Sequence, residues 1–436
     1  MKVALIGDVH ANLPALEAVL DDAKARGAEA VWNAGDFVGY GAWPDEVVRR
    51  LRDEGAVSIL GNYDGKVLRF PCKRDQWRTT KQADKFHAFE WTWEHLSADS
   101  RAYLASLATE LRRELFGRRV LLTHGSPASE SEPITPETPD ARLVELARLA
   151  DADVVVFGHS HRPVRREAGG VLFVGTGSVG RPEGGDPRAC YAMMELLGDD
   201  LTVTHHRIEY DRARAAAAIR DNGLPEAFAQ MTLRGEGYDG VAAAAERVLA
   251  AVRDLGERCD VEQGHTRQVT KLALRLFDEL SAVHALGPAE RFALQCGALL
   301  HDIGWVAGQK SHHKTAMRLI LADELLPFDR RERDLVACVA RYHRKALPKA
   351  KHRPFSALDA ADRRTVCVLG GILRVADGLD RSHMDVVRDV RCEVSPDRLV
   401  IRCIADGPAD AEVWAAEKKA DLLAEALQRA VTFHGS

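Results

Sequence analysis

An α/β domain followed by an all-helical domain, with a small α+β cap at the C-terminal end, is the architecture this sequence predicts. Three observations carry it. Over the first two hundred residues, short apolar runs alternate with helical periodicity, and five of those runs stop at a glycine-flanked Asp, Asn or His. From Val241 onward the texture changes to long 3.6-residue periodicity without strands. Near the end, residues 389–393 and 398–404 read as two strands around the Pro396-Asp397 turn, followed by a last helix over 411–431.

Length and composition set the frame. A chain of 436 residues is long for one core and suggests two to four domains. The net charge of -5, with acids and bases interspersed, offers no basic stripe for nucleic acid and no polybasic membrane patch. The charged start and long apolar run of a signal peptide are missing and nothing approaches a membrane span, so a cytoplasmic location is expected. Eight cysteines form no CxxC pair, which argues against a zinc ribbon, a redox motif or a disulfide framework.

The first run, residues 3–6, halts at Gly7 and delivers Asp8 and His10 together. Two residues apart in an extended segment, they lie on one side, where a carboxylate oxygen and an imidazole nitrogen can share a divalent cation. A helix over 13–26 follows, with Leu13, Leu16, Val19, Leu20 and Ala23 in register and Gly27 as its stop. The strand 30–33 then ends at Gly35-Asp36, and the strand 56–60 at Gly61-Asn62-Tyr63-Asp64. An aromatic-rich helical insert covers 77–93 and reads as core packing. The strand 120–123 ends at His124-Gly125, and 154–157 at Gly158-His159-Ser160-His161. Glycines let such turns converge, and a set of Asp, His and Asn ligands suits two transition-metal ions that activate water and clamp phosphate oxygens.

In order, Asp8-x-His10, Gly35-Asp36, Gly61-Asn62-x-Asp64, His124 and Gly158-His159-x-His161 resemble the motifs of the calcineurin-like metallophosphoesterases over about residues 1–211. The GDFVGYG and PDEVV phrasing around Asp36 and Asp45 is similar to the small bacterial branch of that family. The resemblance implies a four-layer α/β/β/α sandwich with a dimetal site at the strand ends. One metal would take Asp8, His10, Asp36 and His161, and the other Asp36, Asn62, His124 and His159, with Mn, Fe, Zn, Co or Ni as candidate ions. Many family members carry His where Tyr63 stands, to stabilise phosphate and protonate the leaving group. A phenol is a poor proton shuttle at neutral pH, so Tyr63 is either a hydrogen-bond donor favouring good leaving groups, including diesters, or part of the wall. Asn62, Tyr63, Asp64 and His124 are the catalytic candidates. A GxGxxG match at 175–180 is set aside, because Pro182 and Gly184-Gly185 forbid the helix that must follow; the resemblance places this turn beside the metals.

Residues 210–240 read as a trailing helix and a hinge. Beyond them, four helices carry polar residues on apolar faces: His265, one turn before a stripe at 269–277; His301-Asp302 at the end of a helix begun at Pro288; His343 after a helix capped by Asp329 and Glu332; and Asp377 in line with Val366, Leu369 and Leu373. Burying Asp302 and Asp377 costs several kcal/mol, about the amount a cation must offset, and a shared metal is the simplest account. The order His265, His301-Asp302, Asp377 resembles that of the HD-domain phosphohydrolases. EQGHT, LLHDIGW, HHK, ARYHRK and RVADGLDRSH resemble the C-terminal HD region of the Ppx/GppA exopolyphosphatase family over about 241–431. That resemblance implies one metal on His265, His301, Asp302 and Asp377, and a second on His312, His313 and His343. The actin-like half of Ppx/GppA is absent, and Trp305 replaces the Lys of some binuclear HD motifs, so Lys310, Lys314, Arg344 and Lys345 become phosphate candidates, Lys310 and Arg344 foremost. His284, His352 and His383 read as packing or surface residues, and the cap shows no chemistry.

The domains expected are a metallophosphoesterase domain over 1–234, an HD domain over 235–385 and the cap over 386–436. The function expected is a hydrolase with two sites acting on phosphomonoesters or phosphodiesters, nucleotides favoured. Two alternatives stand beside it: an HD domain that senses a nucleotide or polyphosphate and regulates the first, and an RNA-end phosphatase or 2',3'-cyclic phosphodiesterase, which the lack of a basic surface disfavours.

Overall fold

The computed structural model describes residues 1–115, 117–197 and 200–435, which form two compact units, Met1–Ala242 and Ala243–Ser436. The boundary falls within one helix, Tyr238–Arg258.

Among its described residues the first unit contains ten strands: β1 (Lys2–Ile6), β2 (Ala30–Asn33), β3 (Val57–Ser58), β4 (Glu110–Leu115), β5 (Arg118–Thr123), β6 (Val154–Phe157), β7 (Pro163–Ala168), β8 (Val171–Thr176), β9 (Ala189–Leu197) and β10 (Asp200–Ile208). They make two mixed five-stranded sheets, in the orders β10-β9-β1-β2-β3 and β4-β5-β6-β8-β7. The central strands β1-β2-β3 and β5-β6-β8 are parallel, and the outer pairings antiparallel. Strand alternation sorts the core. Val3, Leu5 and Trp32 join Val120, Leu122, Val154 and Val156 in one cluster between the sheets. Ala4 and Ile6 face the helices Leu13–Ala25 and Pro44–Asp53. Leu121, Val155 and Phe157 face the helix Asp140–Ala150.

The aromatic insert forms the helices Asn62–Thr80 and Ala83–His95, and Phe89 and Trp91 are buried in the same core as Ile6. The trailing helix is Arg212–Asp221, and the stretch read as a hinge holds a second packed helix, Glu226–Arg234. Ile219, Phe228 and Met231 supply enough apolar surface to seat them, and Gly235 in the left-handed region closes the second.

The second unit gathers the helices Gln263–Glu279, Pro288–Leu299, His312–Ala322, Arg330–Arg341 and Ala360–Gly378 around buried leucine, valine and alanine. Its cap departs from the expected two strands and single helix. The helical stretch is two short helices, Asp410–Glu417 and Asp421–Leu427, and the chain ends in β13 (Ala430–Gly435). β13 pairs parallel to β12 (Arg398–Ala405), which pairs antiparallel to β11 (Val387–Val394). The run Val431-Thr432-Phe433, two β-branched residues and an aromatic, suits an edge strand better than a helix end. Among the described residues, no helix is long and apolar enough to cross a membrane.

Candidate metal centres

Every predicted ligand of the first centre follows the C-terminal end of a parallel strand: Asp8 and His10 after β1, Asp36 after β2, Asn62 after β3, His124 after β5, and His159 and His161 after β6. Asp8, His10, Asp36, His159 and His161 all have positive φ, between 47° and 64°. Non-glycine residues held there store strain that only a surrounding structure can enforce. The neighbouring glycines are required by space: a Cβ on Gly61 would lie 2.1 Å from Asp36 N, and one on Gly158 2.7 Å from Asp8 Oδ2.

The side chains converge. His10 Nε2 and His161 Nε2 are 3.2 Å apart. Asp36 Oδ2 lies 3.7 Å from His10 Nε2 and 3.5 Å from His124 Nε2, and Asp8 Oδ1 lies 3.4 Å from His161 Nε2. Potential ligand atoms of Asp8, His10 and His161 sit within 4.8 Å of one another, as do those of Asp8, Asp36 and His124. His10 Nδ1 donates to the Val38 carbonyl and His124 Nδ1 to that of Ala34, which turns each Nε2 inward. His10 Nε2 thus faces His161 Nε2 at 3.2 Å, a spacing at which two imidazoles can share one cation. His124 Nε2 is buried without a hydrogen-bond partner, so the donor set fits divalent metals.

The electrostatics of the metal-free cluster agree. Burial lowers His10 to about 3 and, with Arg181 nearby, His161 to about 4, so both are neutral ligands at pH 7. Burial raises Asp8 to about 6. His124 resists its own burial because Asp36 and Asp8 face it, and it rises to about 10. Asp36, though buried, is held below the ordinary carboxylate range by His124 and His10.

The other predicted residues lie around this set. Asn62 Nδ2 is 3.3 Å from His159 Nδ1, and the backbone N–H of His159 donates to Asp8. Asp64 stands back from the cluster: its two oxygens accept from the N–H groups of Val38 and Gly61, and burial raises its carboxyl to about 7. Tyr63 is part of an aromatic wall, 4.7 Å from both Tyr40 and Phe89 and edge-on to His10 at 5.7 Å. Its hydroxyl is buried without a well-formed hydrogen bond, while its backbone N–H donates to Asp36 Oδ1 at 2.7 Å. Ser178, in the glycine-rich turn after β8, donates to the Asp8 carbonyl. Two residues escaped the sequence reading: Arg181, 4.2 Å over the Tyr40 ring, and Glu183, which pairs with Arg181 and lies 3.5 Å from His161 Nδ1.

The second unit repeats the logic on helices. Asp302 faces two pairs of histidines. Its Oδ2 is 3.8 Å from His265 Nε2 and 3.6 Å from His301 Nε2; its Oδ1 is 3.2 Å from His312 Nε2 and 3.6 Å from His343 Nε2. Asp377 Oδ1 completes the first pair at 3.5 Å from His265 Nε2, and His312 and His343 meet at 3.3 Å. His301, His312 and His343 each point Nδ1 at the carbonyl three residues earlier, leaving Nε2 inward, and His301 Nε2 has no partner. Burial and the neighbouring His301 lower His343 to about 3. His265 rises to about 9, because Asp377 and Asp380 outweigh its burial. This donor set also fits one or two divalent ions.

His313 is not part of the converging atoms; it packs edge-on against His312 and His343 at 6.1 and 6.4 Å. Arg344 Nη1 is 3.2 Å from His312 Nε2, whereas Lys310 is exposed. His284 and His352 bond to Phe277 O and Tyr342 Oη, while His383 stacks on His265 at 3.9 Å. Two further groups were missed. Asp380 accepts from His265 Nδ1; its spacing three residues after Asp377 was the available signal. Lys419 reaches Asp377 Oδ2 from the cap, and nothing local in the sequence announces it.

Comparison with known proteins agrees with the geometry. The family model described as the calcineurin-like phosphoesterase superfamily domain matches residues 1–199. An uncharacterized protein, MJ0912, of Methanocaldococcus jannaschii is 31% identical over 246 residues, covering 51% of this chain and 94% of that protein. The chain belongs to the calcineurin-like phosphoesterase superfamily. Phosphodiesterase YfcE of Escherichia coli K12 is 27% identical over 217 residues, 47% of this chain and 91% of that one. The crystal structure of hypothetical protein PH1004 from Pyrococcus horikoshii OT3 shares the fold, with a TM-score of 0.50 at 22% identity, covering 54% of this chain and 99% of that one. Calcineurin-like phosphoesterases are dimetal enzymes, and this member is a metal-dependent hydrolase of phosphoester bonds. Its second half is matched over residues 249–403 by domain III of the Ppx/GppA phosphatases.

Proposed function

We propose that this phosphoesterase carries two hydrolytic centres: a dimetal site on an α/β/β/α unit and an HD-type site on the helical unit, both acting on phosphomonoesters or phosphodiesters of nucleotide-like compounds. The observation that carries the reading is the repeated placement of one carboxylate between opposed imidazoles, Asp36 between His10 and His124, and Asp302 between the pairs His265/His301 and His312/His343. The metals, when bound, supply an activated water and neutralise charge on the phosphate oxygens.

Around the first centre, Asp8, His10, Asp36 and His161 would hold one ion and Asp36, Asn62, His124 and His159 the other. Asp36 is the group common to both. Asp64 acts by fixing the Asp36 and Gly61 loops through their backbone N–H groups. A water-sized cavity beside His10 is lined by Tyr40, Trp43, Arg181 and Phe228, and it brings the Arg181 guanidinium, a group suited to phosphate, close to the cluster. A phosphodiesterase activity is supported by the likeness to YfcE. Around the second centre, His265, His301, Asp302 and Asp377 would hold one ion and Asp302, His312 and His343 another, with Arg344 placed to steady phosphate.

The test is the full chain loaded with Mn, assayed on bis(p-nitrophenyl) phosphate, p-nitrophenyl phosphate and a nucleotide panel, beside Asp36→Ala and Asp302→Ala. Each variant is expected to lose a different part of the activity. If Asp302→Ala keeps every activity of the parent, the second centre is not hydrolytic and a sensing role replaces it.

A further inference from the structure

The C-terminal cap supplies a residue to the second centre. Lys419 lies in the turn between the helices Asp410–Glu417 and Asp421–Leu427, and its ammonium donates to Asp377 Oδ2, while Asp377 Oδ1 faces His265. The turn is held in place from both sides. Arg374, almost fully buried, donates from Nε to the Lys419 carbonyl at 3.2 Å and from Nη1 to the carbonyls of Tyr342 and Lys345 at 3.3 Å, and pairs with Asp421. Those carbonyls flank His343 and Arg344, so one guanidinium ties the cap to the loop that carries another ligand. The cap helices also sit tightly on the helix bearing Asp377: a Cβ on Gly378 would lie 2.6 Å from Ala416 Cα, and one on Gly371 2.8 Å from Leu423 Cα.

A carboxylate that gives one oxygen to a metal needs its other oxygen fixed, or it rotates away; outer partners of this kind set ligand direction and metal affinity. We propose that Lys419 is the positioning residue for Asp377, and that the cap is thereby an integral part of the second metal centre. The proposal rests on the reading of that cluster as a metal site. His265 is braced by Asp380 and the other histidines by carbonyls, so Lys419 completes a set in which every inward ligand but Asp302 has a partner behind it.

The test uses the full chain with Asp36→Ala, which cripples the first centre, and follows Mn binding by electron paramagnetic resonance of the free ion, with no assay of activity. Adding Lys419→Met is expected to weaken Mn binding by about 10- to 100-fold, with Lys419→Arg, which keeps charge and donors, recovering most of the loss. Lys419→Gln is the second variant should the methionine protein fail to fold. Thermal midpoints without metal separate a purely structural role, which would lower them and leave affinity alone. Unchanged or tighter Mn binding in Lys419→Met and Lys419→Gln overturns the positioning role while the centre itself stands. Failure of the Asp36→Ala parent to bind Mn at the second cluster removes the centre, and the proposal with it.

Discussion

Asp380 Oδ2 accepts a hydrogen bond from His265 Nδ1 at 2.7 Å, with Asp380 wholly buried. Its other oxygen accepts from the N–H of Asp385. The pair does for His265 what main-chain carbonyls do for His301, His312 and His343: it fixes the tautomer and aims Nε2 inward. A carboxylate is the stronger acceptor and also raises ligand basicity. Asp380→Ala is expected to weaken metal binding at the second centre by about 10- to 100-fold, and Asp380→Asn by less, because an amide oxygen still accepts. Isothermal titration with Mn on the Asp36→Ala background checks this; equal affinity for parent and Asp380→Ala would refute it.

Metal loading should be linked to proton release. In the metal-free protein His124 and His265 are raised to about 10 and about 9, so each carries a proton at neutral pH that a metal must displace. His10, His161 and His343, lowered by burial, are already neutral there and release nothing. Affinity therefore rises with pH, by about tenfold per unit below the raised values for one proton released per ion. Titrations in buffers of different ionisation enthalpy measure the number released, and an affinity flat across neutral pH would contradict the assignment.

Gly61 tests how closely the ligand loops must approach. An added methyl at Gly61 would meet Asp36 N at 2.1 Å and Asp36 Oδ1 at 2.2 Å, so the Asp36 loop must move. Overpacking of this kind costs about 1–3 kcal/mol. Gly61→Ala is expected to lose the metals of the first centre, with its phosphoesterase activity, and to retain those of the second. Elemental analysis of the purified variant decides it; a full complement of metal would show that the loops have room.

Asp64 is a brace whose two oxygens serve two different N–H groups, Val38 and Gly61. Asn at this position keeps one acceptor and turns an NH2 toward the other N–H, leaving a buried donor unsatisfied. Asp64→Asn should destabilise the first unit by about 1–3 kcal/mol. Urea denaturation followed by tryptophan fluorescence reads the change, and an unaltered midpoint would mean that the two bonds contribute nothing net.

Much of the candidate site was legible because each candidate ligand is announced locally. A strand that stops at glycine and then offers Asp, Asn or His is visible in sequence, and five such stops pointed to one edge. Asp302 and Asp377 were legible for another reason, as carboxylates on apolar helix faces. What stayed hidden depends on tertiary contact alone. Lys419 lies 42 residues from Asp377 in a segment with no local signal. The pairing of Arg181 with Glu183 beside His161 became visible only when the turn after β8 folded back over Asp8. The helix over 226–234 was obscured by Gly223 and Pro225, which precede it, although Phe228 and Met231 bury it in the first core.

Tyr63 separates two accounts of proton delivery. As a hydrogen-bond donor to substrate, its hydroxyl would have to reach the cluster. It is instead buried, with its ring between Tyr40 and Phe89 and no well-formed hydrogen bond, and burial pushes its ionisation well above the ordinary phenol value. A group so hard to ionise is a weak acid for a leaving alkoxide. The contact that does touch the ligands is the backbone N–H to Asp36, which no side-chain replacement removes. Tyr63→Phe should therefore leave kcat on p-nitrophenyl esters within about threefold of the parent, because the ring remains and only an unused hydroxyl goes. Tyr63→Ala, which opens the wall beside His10, should cost far more. A loss of about a hundredfold in Tyr63→Phe, confined to substrates with poor leaving groups, would instead assign the proton to this phenol.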